Sequence, residues 1–375
     1  MPARRVLLAP DKFKGSLTAA EVAGQLMDGI RSVVPGRAHL RWVPVADGGD
    51  GTVAAAISAG FTEVRVSASG PTGIPQPVSY AERDATAVIE LAGVCGLQRL
   101  PDGRFEPMAA SSYGVGEVVR EAVRRGARRV VLGIGGSAST DGGAGLLQAL
   151  GASIRDVGGV EVQRGGGPLR NARTLDLAGL LPALADVDLI VASDVDNPLL
   201  GPNGAAAVYG PQKGADALDV AELEAALGNW AAVVAAATGR DAAGIPGAGA
   251  AGGVGFGAVT LGATIRSGVA LLLEIVGFDA FLAEADLVVT GEGSLDEQTL
   301  AGKAPVGVAA AARRRGVPVV AVAGRTTLSA DQLAAAGFAD VYLLSDLADD
   351  PDDSLRRAAE LVRHLGAEIA RDRLS

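Results

Sequence analysis

Short apolar segments alternate with amphipathic helical segments at both ends of this chain, and the alternation limits the folds open to it. Val6–Ala9 and Leu40–Val45 have the composition of strands, and between them Val22, Leu26 and Ile30 recur at helical spacing. The alternation returns near the C-terminus, with strands predicted at 285–290, 317–322 and 341–344 and helices at 305–315 and 354–371. Strands separated by helices are typical of a parallel sheet with crossover connections.

The middle of the chain follows a different pattern. Val78–Glu82 and Ala87–Glu90 are predicted to pair as antiparallel strands, after a sharp break at Gly70-Pro71. Further strands are predicted at 129–134 and 187–192, and helices at 114–125, 144–150 and 221–238. Because 375 residues exceed one typical core, we predict two domains in an α/β fold. A Rossmann-like doubly wound parallel-sheet domain is split in sequence (1–68 and 283–375), and a second α/β domain (69–282) is inserted, with an active-site cleft between them.

Composition excludes several classes of function. A net charge of −10 with 3% aromatic residues disfavours nucleic acids and anionic membrane surfaces as partners. The single cysteine, Cys95, cannot form an intramolecular disulfide, and its apolar context predicts a packing role. His39 and His364 lack the spacing of zinc ligands, and a Ser-His-Asp triad is disfavoured as well. Any chemistry is therefore expected from aspartates, glutamates, lysines, arginines, serines and backbone groups.

No secretion or membrane-spanning signal is recognised in the sequence. The apolar run before Asp11 is short and reads as a strand rather than a signal peptide. Residues 242–265 carry few charges, but glycines interrupt them, and no continuous apolar span results. We expect a cytoplasmic protein, and the oligomeric state, including a homo-oligomer, stays open.

The segment 43–52 places two carboxylates and three glycines directly after a strand-like run. Asp47 ends that run, and Gly48, Gly49, Asp50 and Gly51 follow before a helical stretch. Glycine allows a backbone to turn tightly and approach a ligand, and the carboxylates suit a metal or a substrate hydroxyl. An ordinary solvated turn would have the same composition.

A second polar segment, Asp11–Ser16, lies between the first strand and the first predicted helix. Lys12 and Lys14, with the amides of the helix start, could bind an anion, and Ser16 adds a hydroxyl. The alternative is that both lysines are simply solvated.

A glycine- and hydroxyl-rich loop, 133–145, connects a predicted strand to a predicted helix. Such a loop can offer successive amides to phosphates, but it is neither a Walker A loop nor a dinucleotide fingerprint. Tight packing of helix on sheet is the structural alternative. The candidate nucleotide-binding residues here are Gly135, Gly136, Ser137, Ser139, Thr140 and Asp141.

Two further acidic segments follow strands. Asp194 comes two residues after the strand at 187–192, where a carboxylate can bind Mg²⁺ or accept a proton from a hydroxyl, or can simply cap a turn. In 290–303, Glu292 and Asp296 accompany Lys303 and small residues, a combination suited to a metal–triphosphate complex. The glycine-rich stretch 250–257 is either another anion-binding turn or a close-packed one. Because polar residues follow several of the predicted strands, we expect a ligand site at the carboxyl ends of these strands.

Taken together, these segments resemble the type I glycerate kinase family. The matching pieces occur in order along nearly the whole chain, at 9–16, 44–52, 135–145, 193–201, 209–214, 252–257 and 290–305. The resemblance implies transfer of the ATP γ-phosphoryl group to a hydroxyl of D-glycerate with Mg²⁺. It favours 2-phosphoglycerate as the product, and 3-phosphoglycerate is the alternative.

Roles are assigned to individual residues on this basis. Asp194 is predicted to orient or deprotonate the acceptor hydroxyl, and Lys12 to neutralise the substrate carboxylate or the transferred group. Asp194 and Asp296 are the candidate Mg²⁺ ligands. The predicted substrate-binding residues are Lys14, Ser16, Asp47, Gly48, Gly49 and Asp50, and Gly291, Glu292 and Gly293 join the nucleotide-binding set.

Two other functions are considered as alternatives, and the first shares this fold class. A nicotinamide-dependent hydroxy-acid dehydrogenase is disfavoured because the dinucleotide fingerprint is missing. A non-catalytic sugar-acid sensor would need an output element, and the sequence shows none.

Overall fold

The computed structural model describes residues 3–300 and 302–375. In these residues the strands are β1 (Arg4–Pro10), β2 (Ala38–Trp42), β3 (Thr62–Ser69), β4 (Pro75–Arg83), β5 (Thr86–Glu90), β6 (Arg129–Gly133), β7 (Ser153–Arg155), β8 (Thr174–Asp176), β9 (Asp188–Ala192), β10 (Thr264–Arg266), β11 (Leu287–Leu295), β12 (Val319–Thr326) and β13 (Asp340–Leu343).

The α-helices of the same residues are α1 (Ala19–Val33), α2 (Thr52–Ser58), α3 (Ala92–Cys95), α4 (Tyr113–Arg124), α5 (Ala144–Leu150), α6 (Ala205–Tyr209), α7 (Ala217–Thr238), α8 (Ala250–Thr260), α9 (Gly268–Ile275), α10 (Phe278–Leu282), α11 (Glu297–Leu300), α12 (Ala304–Arg314), α13 (Ala330–Ala336), α14 (Pro351–Arg356) and α15 (Ala358–Arg373). The predicted α/β class is confirmed.

The chain divides into two compact units, and their boundaries differ from the predicted ones. The split unit contains residues up to Asp47 and from Val269 onward, and the inserted unit contains Gly48–Gly268. The sequence predicts boundaries at 68/69 and 282/283. The first shifts because β3 pairs antiparallel with β4 along its whole length and so belongs to the inserted unit's sheet. The second shifts because Val269 packs directly against Gly307 of α12, in the split unit.

The split unit is built on a parallel sheet with strand order β13-β12-β11-β1-β2. Val6 and Leu8 of β1 join a core with buried side chains of α1 and α15. Leu7, on the other face of the same strand, is also buried, and α12 contacts β1 and β11. Both sheet faces are therefore covered, as in doubly wound folds.

The strand order of the split unit reverses between β1 and β11. Numbered along the chain within this unit, the order across the sheet is 2-1-3-4-5, because β2 lies on one side of β1 and β11 on the other. Ligands of open α/β sheets bind beyond the carboxyl ends of the strands at such a reversal. Here those ends carry Asp11, which follows β1, and Glu292, which lies in β11.

The inserted unit contains a mixed sheet with strand order β10-β9-β6-β5-β4-β3. The antiparallel pair predicted in the middle of the chain is confirmed by β4 and β5, while β5, β6, β9 and β10 run parallel. Their last residues are register partners, so Glu90, Gly133, Ala192 and Arg266 form a row at one edge of the sheet. We call this row the strand-end row.

One helix of the inserted unit bears on the expectation that the chain has no membrane span. Among the described residues, α7 is the one helix long and apolar enough to cross a membrane, a test that core helices of soluble proteins also pass. Its Leu227 and Trp230 are fully buried in an apolar cluster of the inserted unit. The role of α7 in this structure is therefore that of a core helix.

Candidate active site

An acidic cluster lies where the strand order of the split unit reverses. The N–H of Asp11 donates to the carbonyl oxygen of Gly291 at 2.7 Å, which holds the residue after β1 against β11. Burial raises the pKa of Asp11 to about 6, with smaller contributions from the charges of Asp47 and Glu292. These three carboxyl groups are therefore electrostatic neighbours, and their like charges favour proton binding at Asp11.

Glu292 is held in this cluster by two partners. Its side chain is buried, and the Thr299 hydroxyl donates to its Oε1 at 2.6 Å. The Lys303 Nζ lies 3.6 Å from Glu292 Oε2 and 3.7 Å from Asp296 Oδ1. Burial raises the pKa of Glu292, while Thr299 and Lys303 oppose this rise. Thr299 was missed in the sequence because a lone threonine in a polar loop carries no signal.

The predicted nucleotide-binding run Gly291–Gly293 lies in a strand rather than in a loop. β11 continues to Leu295 alongside β12, well beyond the predicted end at residue 290. A Cβ on Gly291 would come 2.1 Å from the carbonyl oxygen of Val322, so this glycine is required by sheet packing. That contact gives Gly291 a structural role, and nucleotide binding by this run stays a prediction.

Most backbone groups around Lys12 and Lys14 form hydrogen bonds within the loop and the first turn of α1. Thr18 and Glu21 form a capping box at the start of α1, which occupies two of the helix-start amides. Ser16 donates its hydroxyl to the Phe13 carbonyl oxygen at 3.2 Å. Lys12 is half-buried and Lys14 is exposed. The predicted anion site therefore depends on the two lysine side chains more than on the helix start.

The acidic glycine segment 43–52 crosses the boundary between the two units, with Asp47 in one and Gly48 in the other. Gly48 has a φ of +87°, and a Cβ there would lie 2.7 Å from the carbonyl oxygen of Ala192. A Cβ on Gly135 would lie 2.6 Å from the Gly49 Cα. Gly48 thus lies directly on the strand-end row, and Gly49 lies against the loop that follows β6. The alternative of an ordinary solvated turn is wrong for these two residues, whereas Asp50 is exposed.

Glu90, which the sequence analysis did not assign to the site, holds this segment in place. It ends β5 in the strand-end row and is buried. Its Oε2 accepts the N–H of Gly51 at 3.0 Å and of Val53 at 3.1 Å, at the start of α2. A carboxylate at a helix N-terminus satisfies amides that have no partner within the helix. The sequence feature that could have identified Glu90 is an acidic residue at the end of a predicted strand.

Asp141, a predicted nucleotide-binding residue, has an internal role. The side chain is fully buried, and its oxygens accept bonds from Ser111, Ser112, Gly143 and Gly145. These bonds tie the glycine-rich loop to the starts of α4 and α5. A carboxylate with this many partners organises the loop and is a poor candidate for direct contact with a nucleotide.

Tight packing, the structural alternative for the loop 133–145, accounts for its second half. Gly142 donates its N–H to the Gly252 carbonyl oxygen at 2.9 Å, and a Cβ on Gly253 would lie 2.6 Å from the Gly142 Cα. The stretch 250–257 is accordingly a close-packed turn that opens α8, with positive φ at Ala251, Gly252 and Gly253.

The first half of the same loop remains open to a ligand. Gly136 is exposed and Gly135 half-buried, whereas Ser137, Ser139 and Thr140 are buried. The Ser137 Oγ accepts the Ser139 N–H at 3.1 Å and lies 3.2 Å from the Ala251 carbonyl oxygen, so it shapes the loop. Any phosphate contact is therefore expected at 135–137.

A buried lysine that was not singled out in the sequence lies beside this loop. Lys213 is 2% exposed and donates through Nζ to the carbonyl oxygen of Ser139. Burial lowers the pKa of Lys213 to about 7, and the charge of Asp141 opposes this shift. Its position in the matched segment 209–214 was the only sequence signal.

Asp194 lies at the strand-end row as predicted, two residues beyond Ala192. Its Oδ1 accepts the N–H of Gly268, the first residue of α9, at 3.0 Å, and the residue is half-buried. The backbone of Ser193 is fixed by a 3.0 Å bond to the Arg266 carbonyl oxygen. The carboxylate is therefore oriented at the carboxyl end of a parallel strand.

The described residues contain no group of three or more His, Cys, Asp or Glu side chains that could hold a metal ion on its own. Magnesium in kinases usually takes one or two carboxylates and completes its coordination with phosphate oxygens and water. Asp194 fits that requirement. Asp296 fits less well, because its Oδ1 caps α11 through Gln298 and Thr299 and lies near Lys303.

Comparison with known proteins identifies the family. The family model described as "Glycerate kinase family" matches residues 6–374. This chain belongs to the glycerate kinase family. A glycerate kinase of Bacillus subtilis (strain 168) is 41% identical over 98% of this chain and 97% of its own length. A glycerate 2-kinase of Escherichia coli (strain K12) is 38% identical over 98% and 97%.

A solved structure agrees. The crystal structure of a candidate glycerate kinase 2 from Salmonella typhimurium LT2 has a TM-score of 0.84, with 39% sequence identity and coverage of 99% of this chain and 98% of that one. The predicted family, the α/β fold and the enzyme class of glycerate kinase are therefore confirmed. Membership in the glycerate kinase family makes the protein a phosphotransferase acting on a small hydroxy acid.

Proposed function

We propose that this chain transfers the γ-phosphoryl group of ATP to the 2-hydroxyl of D-glycerate in a Mg²⁺-dependent reaction, giving 2-phosphoglycerate. The observation that carries the proposal is the placement of Asp194 at the strand-end row, where the Gly268 N–H orients its carboxylate. The printed name of the Escherichia coli relative, glycerate 2-kinase, supports the 2-position. Phosphoryl transfer requires positioning and charge neutralisation rather than a covalent nucleophile, which suits a chain whose single cysteine is buried.

In the proposed reaction, the substrate hydroxyl oxygen bonds to the γ-phosphorus while the bond from that phosphorus to the β–γ bridging oxygen breaks. ADP leaves, and the hydroxyl proton passes to the Asp194 carboxylate. The transition state of phosphoryl transfer is loose, so the attacking hydroxyl does not have to be a strong nucleophile. A carboxylate is therefore a sufficient base for its proton. The N–H of Gly268 prevents the carboxylate from rotating away.

Lys12 and Lys14 are proposed to neutralise the glycerate carboxylate or the phosphoryl oxygens. Asp47, Gly48, Gly49 and Asp50 are proposed to bind the substrate, and residues 135–137 the nucleotide phosphates through backbone amides. Such amides suit phosphates because they are fixed donors that cost no reorganisation during the reaction.

Asp194 is preferred of the two candidate Mg²⁺ ligands, because the Asp296 Oδ1 already accepts two backbone N–H groups and lies near Lys303. When bound, the metal would neutralise phosphate charge and orient the triphosphate. A cytoplasmic location belongs to the same proposal, in keeping with a chain whose single cysteine cannot form an intramolecular disulfide.

Phosphorus NMR of the reaction with D-glycerate and ATP-Mg²⁺ tests the proposal directly. We expect the phosphomonoester resonance of 2-phosphoglycerate together with ADP, and no product when Mg²⁺ is chelated. The resonance of 3-phosphoglycerate would contradict the proposed position of transfer. A parallel incubation with glycerate and NAD, followed by absorbance, addresses the dehydrogenase alternative, for which we expect no signal.

A further inference from the structure

We propose that Lys213 is a positioning residue for nucleotide binding, which acts through the glycine-rich loop by fixing Ser139 and by placing a positive charge behind residues 135–137. This inference rests on the proposed function, because it assumes that the nucleotide phosphates bind at 135–137. Lys213 does not touch the nucleotide in this proposal. It acts through the loop that does.

The first argument is the cost of burying this side chain. An ammonium group removed from water is destabilising unless it gains strong partners. Lys213 is 2% exposed. Asp141 acts on it electrostatically, but the oxygens of Asp141 already accept bonds from two serine hydroxyls and three backbone amides. A neutral side chain of similar length would fill the same space at lower cost, so the cation points to a role beyond packing.

The second argument is connectivity from Lys213 to the accessible part of the loop. The Nζ of Lys213 donates to the Ser139 carbonyl oxygen. The Ser137 Oγ lies 3.1 Å from that same oxygen and accepts the Ser139 N–H. Ser137 adjoins the exposed Gly136, where a phosphate could reach the backbone. Two bonded steps thus link the buried ammonium to the proposed phosphate site.

The third argument is that the surroundings hold Lys213 in one position. A Cβ on Gly252 would lie 2.8 Å from the Nζ and 2.1 Å from the Ser139 carbonyl oxygen, so the start of α8 packs closely against this contact. Gly252, which faces the lysine from α8, carries no titratable side chain. The charged group acting on Lys213 from the loop is Asp141. When Lys213 is protonated, its charge acts on nearby anions with little screening.

A binding experiment on the whole protein tests the charge. The affinity of a non-hydrolysable ATP analogue with Mg²⁺ is measured by calorimetry from about pH 6 to about pH 9, a window that spans the neutralisation of Lys213. We expect the wild-type affinity to fall roughly tenfold across the window, a coupling of ordinary size. Lys213→Met should bind weakly throughout, with a flat profile. Arg240→Met is the control, because it removes one positive charge at an exposed position of the same unit. Its affinity should change with pH as the wild-type affinity does.

Steady-state kinetics separates this inference from the proposed function. Lys213→Met should raise the nucleotide KM more than it lowers kcat, and the glycerate KM should stay near the wild-type value. Equal pH profiles for wild type and Lys213→Met, or a flat wild-type profile, would overturn the inference. If Lys213→Met fails to fold, the wild-type profile alone decides. A wild type without glycerate-dependent ATP turnover would instead overturn the proposed function, while the binding profile still reports on Lys213.

Discussion

The buried carboxylate of Glu90 accepts the N–H of Gly51 at 3.0 Å, and this bond fixes the acidic glycine segment on the strand-end row. The same Oε2 accepts the Val53 N–H at 3.1 Å. A single side chain at the end of β5 therefore caps α2 and positions the turn that contains Gly48 and Gly49. The arrangement makes Glu90 a support for the proposed substrate-binding segment.

Removing this support should destabilise the inserted unit. Glu90→Ala leaves two helix-start amides without their acceptor, and we expect a loss of about 1–3 kcal/mol in the free energy of unfolding. Urea denaturation followed by circular dichroism measures it. Glu90→Gln, which keeps an acceptor oxygen, should lose less, and Glu63→Ala, exposed on β3 of the same sheet, should be near neutral. A Glu90→Ala protein as stable as wild type would contradict this role.

Asp194→Asn should remove most phosphoryl transfer while the fold survives. The Asn Oδ1 can still accept the Gly268 N–H, but the amide cannot take the hydroxyl proton. Loss of a general base typically lowers turnover by about 10²–10⁴-fold. A coupled assay for ADP gives the rate, and the melting temperature reports on the fold. Asp196→Asn, exposed two residues further along, should keep near-normal activity. Substantial turnover by a folded Asp194→Asn protein would exclude Asp194 as the base.

Lys12→Ala should weaken binding of the anionic acceptor or slow the transfer step. Lys12 follows Asp11 at the carboxyl end of β1, where the acidic cluster would otherwise repel the glycerate carboxylate. We expect kcat/KM for glycerate to fall by roughly tenfold or more, since a charge-assisted hydrogen bond is lost. Arg37→Ala, an exposed cation beyond α1, is the control for net charge. Unchanged kcat and KM in Lys12→Ala would rule this role out.

The raised pKa of Asp11 makes a prediction about stability and pH. Its pKa is about 6 in the folded protein against an ordinary value of 3.8, so between these values the folded state binds more protons than the unfolded state. Stability from this group is present below about pH 4 and is lost as pH rises through about 6. Relative to wild type, Asp11→Asn should gain roughly 1–3 kcal/mol at pH 7.5 and less than about 1 kcal/mol at pH 4.

Urea denaturation at the two pH values tests this prediction. Asp84→Asn, in an exposed hairpin turn, is the matched loss of one carboxylate and should show no such pH-dependent gain. If the free energies of unfolding of Asp11→Asn and wild type differ by the same amount at both pH values, folding does not raise the pKa of Asp11.

Sequence periodicity placed most of the elements because strands and helices leave local patterns of apolar residues. α5 was predicted at its observed bounds, and α4 and α12 lie within one residue of theirs. The boundaries of the units were misplaced because β3 pairs with β4, a choice that depends on sheet register and not on the local pattern. β11 was predicted too short because its polar C-terminal half is stabilised by pairing with β12.

The sequence by itself determined the α/β class, the family and the segments in which polar residues follow strands, since these depend on local composition and order. Only the tertiary structure decided which polar groups are available for chemistry. Asp141 was expected to contact a nucleotide, yet its oxygens are taken by neighbouring serines and amides. Glu90 and Lys213 were overlooked, yet both are buried beside the predicted loops. Whether a carboxylate or an ammonium supports a loop or meets a ligand depends on partners distant in sequence, and only folding brings those partners together.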